Sequence, residues 1–347
     1  MENQLEKTKS VLLGFSGGVD SAVSAILLKE KGYNVTAYFF NAVPNNTEAL
    51  NEAKSLSDYL NIELITEDVS DDFYKTVITD FINSYENGKT PNPCIVCNPN
   101  IKFKKLIENA DKLNIPYIAT GHYAKIINEQ GSKYIGISEN IIKDQSYMLY
   151  RLPKDVIERL IFPLEGFNNK NDIRDIASKY GLKNANKRDS QEICFTENYV
   201  DFLINHGSNI KEGNFIDTKG NVIGKHKGIL NYTIGQRKGL GGTFGKPMFV
   251  VNINKDDNTV TLGSNDDLFT KDVISINNFF PYNDKENYVG KSIKAKVRYS
   301  SKFEDCSFEI NGENILTHFI NPQRAITPGQ SIVFYDNGKV IGGGFIK

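Results

Sequence analysis

Cysteine is scarce in this chain: Cys94, Cys97, Cys194 and Cys306 are the only four in 347 residues. That is too few to staple a chain of this length, which excludes a disulfide-framed secreted module; clustered thiols in a reducing compartment point instead to chemistry or metal. Long apolar runs are missing as well, and none approaches the roughly 18 residues that a membrane span needs. The opening MENQLEKTKSVLLGFSGG puts acidic and polar residues before a short apolar run, without the charged, apolar and small-residue order of a secretory leader. We therefore expect a cytoplasmic protein with no membrane partner. No sign of charge dominates: 41 Lys and Arg stand against 42 Asp and Glu, a net charge of -1. Without a global cationic field, any polyanionic partner has to be held by local patches. Internal repeats and low-complexity tails are absent too. What remains is a globular composition, 39% hydrophobic and 24% charged, in a chain long enough for two to three domains.

Up to about residue 200, short β-branched or aromatic runs alternate with helical periodicity. Residues 10–15 (SVLLGF), 34–40 (NVTAYFF), 62–65 and 117–119 read as buried strands. Residues 20–31 carry Val23, Ile26 and Leu27 on one face and stop at Gly32, while 47–60 repeats the pattern with Leu50, Ala53, Leu56 and Leu60. Such alternation predicts an α/β domain, a parallel sheet flanked by helices, over residues 1–204. After about residue 210 the runs MFVVNIN, TVTLGS, SIKAKVRYS, CSFEI, SIVFY and VIGGGFI are strand-like, with Asn-Gly at 311–312 and 337–338 as hairpin signals. We expect a C-terminal antiparallel β-barrel over 276–347 and, between the two, a small basic, glycine-rich central domain over 205–275.

The sharpest local signal is GFSGGVDS, Gly14 to Ser21, between the first strand and the first helix. Gly17 and Gly18 allow consecutive amide N–H groups to converge on an anion at the positive end of the helix, and Ser16 and Ser21 add hydroxyl donors. A plain glycine turn with Asp20 as a helix-start residue is the simpler alternative. The order strand, loop, helix favours phosphate binding, yet the string is neither the G-x-x-x-x-G-K-[ST] loop of ordinary NTPases nor G-x-G-x-x-G. It resembles the SGGxDS loop of the PP-loop ATP pyrophosphatases, whose fold is adenine nucleotide alpha hydrolase-like. The resemblance implies cleavage of ATP between its α and β phosphates, with adenylation of a substrate oxygen and Mg²⁺ as the counter-ion. By position it makes Gly14, Phe15, Ser16, Gly17, Gly18, Val19, Asp20 and Ser21 the ATP site. Phe40, at the end of the second strand, and Gly121 with His122, after a later one, stand where an open parallel sheet supplies further walls for a nucleotide.

A second constellation is TPNPCIVCNPNIKFK, Thr90 to Lys104. Pro91, Pro93 and Pro99 lead us to expect the cysteines on a rigid loop rather than a regular helix, with the next helix beginning at Ile101 and Phe103. A lone C-x-x-C is structural, redox or metal-binding. Cys194 lies far off in KRDSQEICF, where Lys187 and Arg188 favour a thiolate. Cys306 alternates with apolar residues and reads as an ordinary buried thiol. Taken with TGHYA (120–124), KDQSYMLY (143–150), SQEICF (190–195), GQRKGLG (235–241) and TPGQSIVFY (327–335), these blocks span essentially the whole chain in order. Together they resemble the tRNA-specific 2-thiouridylases.

That resemblance implies ATP-dependent insertion of sulfur at C2 of the wobble uridine, U34, of the tRNAs for Glu, Gln and Lys, supplied by a cysteine desulfurase or a sulfur-relay protein. By motif, Cys194 resembles the persulfide-bearing cysteine and Cys97 the nucleophile, and the pair would end the turnover as a disulfide awaiting reduction. Many members carry Asp at the position of Cys94, so a general-base role is not carried over. The segment NAVPNNTEAL is shorter than usual and lacks the Trp and acidic residues often found there. A rival route to the same product is a [4Fe-4S] cluster on Cys94, Cys97 and Cys194; apart from that alternative we assign no metal site, and His206, His226 and His318 lack zinc spacing. Another PP-loop adenylating enzyme, or a nucleotide-binding RNA module without turnover, are the remaining alternatives.

For tRNA, the resemblance gives Asn92, Pro93 and Cys94 as contacts to the target base, and Lys143, Asp144 and Gln145, with Arg298 and Tyr299, as further contacts. From the residues themselves, Lys294, Lys296 and Arg298 fall at alternate positions, so one strand would point all three to one face. Arg151, Lys187, Arg188, Lys225, Lys227, Arg237 and Lys238 offer more cations. Phosphate contacts would position the anticodon arm while U34 is flipped out.

Overall fold

Alternation of apolar strands with amphipathic helices builds the first part of the chain. In the computed structural model, which describes residues 9–43, 47–182, 193–242 and 244–347, the chain divides into two compact units. One comprises Met1–Thr76, Cys94–Gln191 and Asn337–Ile341; the other comprises Val77–Pro93, Glu192–Asp336 and Gly342–Lys347.

The first unit carries strands β1 (Ser10–Gly14), β2 (Asn34–Asn41), β3 (Glu63–Asp68) and β4 (Tyr117–Thr120), the hairpin β5 (Lys125–Glu129) and β6 (Ser132–Gly136), and β7 (Leu160–Ile161). Five of them form one parallel sheet in the order β3-β2-β1-β4-β7. The order reverses at β1, whose Gly14 pairs with Tyr38 of β2 on one side and Thr120 of β4 on the other. A crevice therefore opens beyond the carboxyl ends of these strands, where ligands of open α/β sheets bind. Helices α1 (Val19–Glu30) and α2 (Thr47–Leu60) pack on the sheet through Ala22, Val23, Ile26 and Ala53, all buried with Val11, Leu13 and Phe15 of the first strand and its loop. Each buried Val, Leu, Ile or Phe among them contributes roughly 1.5 to 3 kcal/mol of burial free energy. Helix α1 ends as expected: Gly32, at φ +79°, takes the left-handed turn beyond its last residues.

The chain continues through α3 (Ser70–Phe73), a π-helical turn at Tyr74–Ile78 and α4 (Thr79–Glu86). The cysteine segment departs from the expected rigid loop. Cys94 and Cys97 lie on a short helix, α5 (Pro93–Cys97), followed by a π-helical stretch, Asn98–Lys102, and α6 (Phe103–Lys112). The prolines are compatible with this because Pro93 is the first residue of its helix, where an N–H has no intrahelical acceptor. Pro99 lies inside the wider π turn, a local change of winding that absorbs the broken i to i-4 pattern. Ile95, Ile101, Phe103 and Leu106 are buried and hold the segment down. Beyond the sheet lie α7 (Lys154–Arg159) and α8 (Lys170–Lys179), the latter packed on α1 through Ile173 and Ala177.

In the second unit, α9 (Tyr199–Asn205) joins α4 in an aromatic cluster: Phe81 meets Phe195 edge-on at 5.2 Å and Tyr85 stacks on Tyr199 at 4.7 Å between ring centres. Strands β8 (Gly213–Ile216), β9 (Val222–His226), β10 (Phe249–Asn254) and β11 (Thr259–Gly263) form a four-stranded sheet around Phe215, Val250, Val260 and Leu262. Strands β12 (Phe269–Phe279), β13 (Ile293–Lys296), β14 (Glu304–Asn311), β15 (Asn314–Arg324), β16 (Ser331–Asp336) and β17 (Lys339–Ile346) make a six-stranded antiparallel barrel, closed where Ile346 pairs with Ser275. The Asn337-Gly338 turn has both residues at positive φ, 48° and 80°, as a type I′ hairpin requires. At the other Asn-Gly pair the turn is shifted by one residue: Asn311 pairs with Asn314, and Gly312 is the first central residue.

The expected cationic stripe on β13 does not form. Lys294 is exposed and pairs with Asp305 at 2.9 Å, whereas Lys296 is buried, its Nζ 5.0 Å from the Phe303 ring centre and 5.7 Å from that of Tyr299. The strand ends at Lys296, so the two-residue alternation stops before Arg298. The buried ammonium thus lies against the aromatic turn that follows, in cation–π contact with it.

Candidate active site

The glycine loop leaves the carboxyl end of β1 and enters α1 with no side chain capping the first turn. Orphan N–H groups at that end, together with the helix dipole, make an anion-binding start. Phe15 is buried and its N–H donates to the Tyr38 carbonyl at 2.8 Å, which anchors the loop to the sheet. Ser16 is exposed; its hydroxyl lies 3.4 Å from the Gly18 amide and from the Ser21 hydroxyl, and Ser21 in turn donates to the Gly18 carbonyl at 2.8 Å. Gly17 stands at φ +77°, and a β-carbon there would come within 3.0 Å of the Ala53 backbone nitrogen. Val19 is buried beneath the loop. Gly121 lies so close to the start of α1 that a β-carbon would meet the Asp20 carbonyl carbon at 3.1 Å. Phe40, half-buried, closes the row at the end of β2. The carboxyl ends of β1, β2 and β4 thus lie together with the first turn of α1, and these carry the residues expected to bind ATP.

Three residues outside the glycine string complete this region. Asp20 accepts from the Tyr123 hydroxyl at 2.9 Å and from the Lys170 ammonium at 2.5 Å. Tyr123 is held by its main chain: its N–H donates to the Gln145 side-chain oxygen at 2.9 Å and its carbonyl accepts the Gln145 N–H at 2.8 Å. Gln145 is therefore tied to the loop through Tyr123 and Asp20. No sequence signal marked Lys170, which stands alone at the start of α8. Tyr123 sits inside TGHYA, and its role emerges only from the fold.

His122 is held in the same region by Thr120, whose hydroxyl lies 2.8 Å from Nδ1, and by the Phe103 ring stacked at 5.8 Å. Burial, with the charge of Lys102 next in weight, pushes its pKa well below 6.5. The folded protein therefore disfavours the imidazolium, and His122 withdraws stability as pH falls below the unfolded value of 6.5 toward its own lower value. His122→Gln should flatten the wild-type decline in Tm between about pH 7 and about pH 5, measured by thermal unfolding; a decline of unchanged steepness would contradict this.

Around the cysteines, α5 exposes Cys94 and half-buries Cys97, three residues apart and hence on one helix face. Asn98 is buried and donates to the Met148 carbonyl at 2.8 Å, fixing the end of the helix. Before it, the backbone of Thr90 is clasped by the barrel loop: its N–H donates to the Pro328 carbonyl at 2.9 Å, and its carbonyl accepts from the Gln330 amide at 2.8 Å. That clasp sets the approach to Asn92 and Pro93. Cys194 is exposed, flanked by Ile193 and Phe195, whose side chains join the aromatic cluster. Ser190 and Gln191, with Lys187 and Arg188, lie outside the described residues. Cys306 is buried, and burial reinforced by the Asp305 charge pushes its thiol up to about 12, which makes it inert. Among the described residues no disulfide is present, and no group of three or more His, Cys, Asp and Glu is arranged to hold a metal ion.

The residues assigned to tRNA fall into distinct settings. Asp144 is buried and accepts from the Ser138 N–H at 2.9 Å and the Ser146 hydroxyl at 2.8 Å, so its carboxylate shapes the loop that presents Lys143. Asp144→Ala leaves these donors unsatisfied and should cost roughly 2 to 4 kcal/mol in denaturant unfolding; a loss below about 0.5 kcal/mol would contradict the structural assignment. Arg298 donates to the carbonyls of Arg324, at 3.1 Å, and Ala325, bracing the turn that carries Tyr299. Lys225, Lys227, Arg237 and Lys238 are exposed on the central sheet and its loop, and Arg151 lies over the Tyr150 ring at 5.7 Å.

Residues 9–198 match the tRNA methyl transferase HUP domain, 200–264 the tRNA methyl transferase PRC-barrel domain, and 272–346 the aminomethyltransferase beta-barrel domain. The tRNA-specific 2-thiouridylase MnmA 1 of Clostridium tetani is 42% identical over 353 residues, covering 98% of this chain and 97% of the relative. The tRNA-specific 2-thiouridylase MnmA of Clostridioides difficile is 42% identical over 357 residues and 98% of each chain. Among the described residues no helix is long and apolar enough to cross a membrane. With this identity carried across nearly the whole length, and the HUP-domain match covering more than half of it, the chain belongs to the tRNA-specific 2-thiouridylase family, a family of enzymes.

Proposed function

We propose that the protein is a cytoplasmic tRNA sulfurtransferase that converts U34 of the tRNAs for Glu, Gln and Lys to 2-thiouridine at the expense of ATP. The observation that carries the reading is the glycine loop Gly14–Ser21, left without a side-chain cap at the start of α1 and placed at the switch point of the parallel sheet. In the first step the C2 oxygen of U34 attacks the α phosphorus of ATP; the Pα–O bond to the β phosphate breaks and pyrophosphate leaves. Gly14, Phe15, Ser16, Gly17, Gly18, Val19, Asp20 and Ser21 bind ATP, with Phe40 and Gly121 as walls. Asp20, a hard oxygen donor 30% exposed, suits the Mg²⁺ that ATP brings, an ion that neutralises phosphate charge.

In the second step the outer sulfur of a Cys194 persulfide attacks C2 and AMP leaves. The Cys97 thiolate then attacks Cys194 Sγ, breaking the S–S bond; the substrate keeps the outer sulfur as C=S and a Cys97–Cys194 disulfide remains. Two external thiol equivalents reduce it, and a cysteine desulfurase or relay protein reloads Cys194. The exposure of Cys194 between two anchored aromatic-cluster residues supports a sulfur-accepting role, because a donor protein has to reach the thiol. Asn92, Pro93 and Cys94 receive the flipped base, while Lys143, Asp144, Gln145, Arg298 and Tyr299 form the tRNA contacts, directly or by shaping the loops that make them.

Nucleotide analysis tests the activation step. Incubation with ATP, Mg²⁺ and unmodified tRNA(Glu) should yield AMP and pyrophosphate, dependent on the tRNA. ADP and phosphate would overturn the adenylation. Iron measured on the same protein separates the sulfur routes: thiolation by iron-free protein supports the persulfide, and thiolation in proportion to bound iron supports a [4Fe-4S] cluster on Cys94, Cys97 and Cys194.

A further inference from the structure

The glycine loop has amides and hydroxyls but no cation: neither Lys nor Arg occurs between Gly14 and Ser21. Pyrophosphate leaving ATP carries several negative charges, and amide dipoles alone neutralise them only in part. Lys170 brings a cation beside the loop from another element. Its ammonium lies 2.5 Å from the Asp20 carboxylate and 5.5 Å from the centre of the Tyr123 ring, and its side chain is 12% exposed.

Its position runs against the local rule for helices. Lys170 is the first residue of α8, directly after the Asn169 cap, whose side chain accepts the Asn171 N–H at 2.9 Å. A cation in the first helical turn faces the positive end of the macrodipole, an unfavourable placement. Departures from local rules concentrate at functional sites. The placement is also rigid, since Ile173 and Ala177 of α8 are buried against α1, the helix whose amino end forms the anion cradle. Asp20 is the second residue of α1, so the lysine is delivered to the mouth of the cradle.

We propose that Lys170 is a phosphate-binding residue of the ATP site, held by Asp20 and Tyr123 until the β and γ phosphates arrive and then shared with or transferred to them. This rests on the ATP-binding reading given above. The ion pair with Asp20 holds the ammonium aimed at the cradle while the site is empty, and the Tyr123 ring face packs against it from one side. When ATP enters, its phosphate oxygens compete with Asp20 for the ammonium, which leaves the carboxylate available to the Mg²⁺ that accompanies the nucleotide. A purely structural ion pair between α8 and α1 makes a different prediction, because it has no preference among ligands.

Calorimetric titration of the full chain distinguishes the two. The probes are inorganic pyrophosphate, α,β-methylene-ATP and AMP, each added to wild type, Lys170→Met and Lys170→Arg, with thermal unfolding recorded to confirm folding. Lys170→Met should weaken pyrophosphate and α,β-methylene-ATP by about 10- to 100-fold, the range of one charge-assisted contact, and leave AMP within about twofold. Lys170→Arg, which keeps the charge, should retain most of the pyrophosphate affinity. In wild-type protein labelled with ¹³Cε-lysine, pyrophosphate should shift the Lys170 resonance and adenosine should not, a measurement independent of whether the methionine variant folds. Equal loss for all three ligands, or no loss for pyrophosphate, overturns the inference while leaving the ATP site standing. Wild-type protein that binds neither pyrophosphate nor α,β-methylene-ATP overturns the ATP reading and this inference with it.

Discussion

Cys194→Ser and Cys97→Ser should each reduce thiolation of tRNA(Glu) to background while ATP binding stays within about twofold of wild type. The expectation follows from the separation of the two chemistries in the chain. The glycine loop, Phe40 and Gly121 belong to the carboxyl ends of the parallel strands, whereas Cys97 closes α5 and Cys194 is anchored by the aromatic cluster of Phe81, Phe195 and Phe202. A serine hydroxyl is neither a persulfide carrier nor a leaving group in thiol exchange, so no residual route bypasses either sulfur. The two variants should also differ from each other: Cys97→Ser retains the ability to take up sulfur on Cys194, visible as a mass increase of one sulfur atom, and Cys194→Ser does not. Full thiolation in either variant would contradict the assigned roles. Cys306→Ser serves as the contrast; its thiol is buried in the barrel wall, so the expected effect falls on stability and not on sulfur transfer.

Gly17→Val should remove measurable ATP binding and with it all thiolation, a loss of at least about 100-fold. Two independent penalties coincide at this position. The backbone stands at φ +77°, which a β-branched residue adopts only under strain of roughly 1 to 2 kcal/mol. Its β-carbon would also press within 3.0 Å of the Ala53 nitrogen and 3.3 Å of the Ala53 Cα, both on the backbone of α2, where no side chain can rotate away. The loop would have to move off the sheet, and the amides that define the anion cradle would move with it. Equilibrium binding of α,β-methylene-ATP measures the effect, with circular dichroism showing that the sheet persists. Gly18→Ala is the milder neighbour, because a β-carbon there meets only the Ser16 hydroxyl at 3.4 Å. ATP binding by Gly17→Val at wild-type strength would contradict the cradle.

Much of the architecture was legible in the sequence, for physical reasons. Strands β1, β2 and β4 are short, apolar on both faces and bounded by polar turns, the pattern of a buried parallel sheet, and α2 occupies the residues its periodicity predicts, Thr47–Leu60. Turn chemistry marked the barrel hairpins at Asn337-Gly338 and near Asn311-Gly312. The misread elements are those where a local rule met a compensating geometry. Pro99 breaks an ordinary helix, yet the π-helical turn at Asn98–Lys102, with its i to i+5 hydrogen bonding and wider winding, carries the chain past it, and a search for the 3.6-residue period does not detect it. Alternation along residues 294–298 predicted three outward cations, but the strand stops at Lys296 and the rings of Tyr299 and Phe303 draw that lysine inward.

The candidate site divides along the same line. Its glycine loop and cysteines are contiguous strings, and contiguous strings carry their chemistry openly. Lys170 is 150 residues from Asp20 in sequence and surrounded by unremarkable neighbours, so only the packing of α8 on α1 reveals the pair. Tyr123 and Gln145 form a comparable link, in which the main chain of one residue is read by the side chain of another 22 positions away. Asp144 illustrates the converse: its place in a string assigned to tRNA did not disclose that its carboxylate is spent on Ser138 and Ser146.

Nucleoside mass spectrometry is the most direct test of the central claim. Unmodified tRNA(Glu) is incubated with anaerobically prepared protein, ATP, Mg²⁺ and a sulfur donor, then digested and analysed, with iron determined on the same preparation. The account predicts 2-thiouridine at U34 that requires ATP, appears with AMP and does not track iron. AMP formation without 2-thiouridine, under conditions where Cys194 carries sulfur, would contradict it and direct attention to another acceptor for the adenylate.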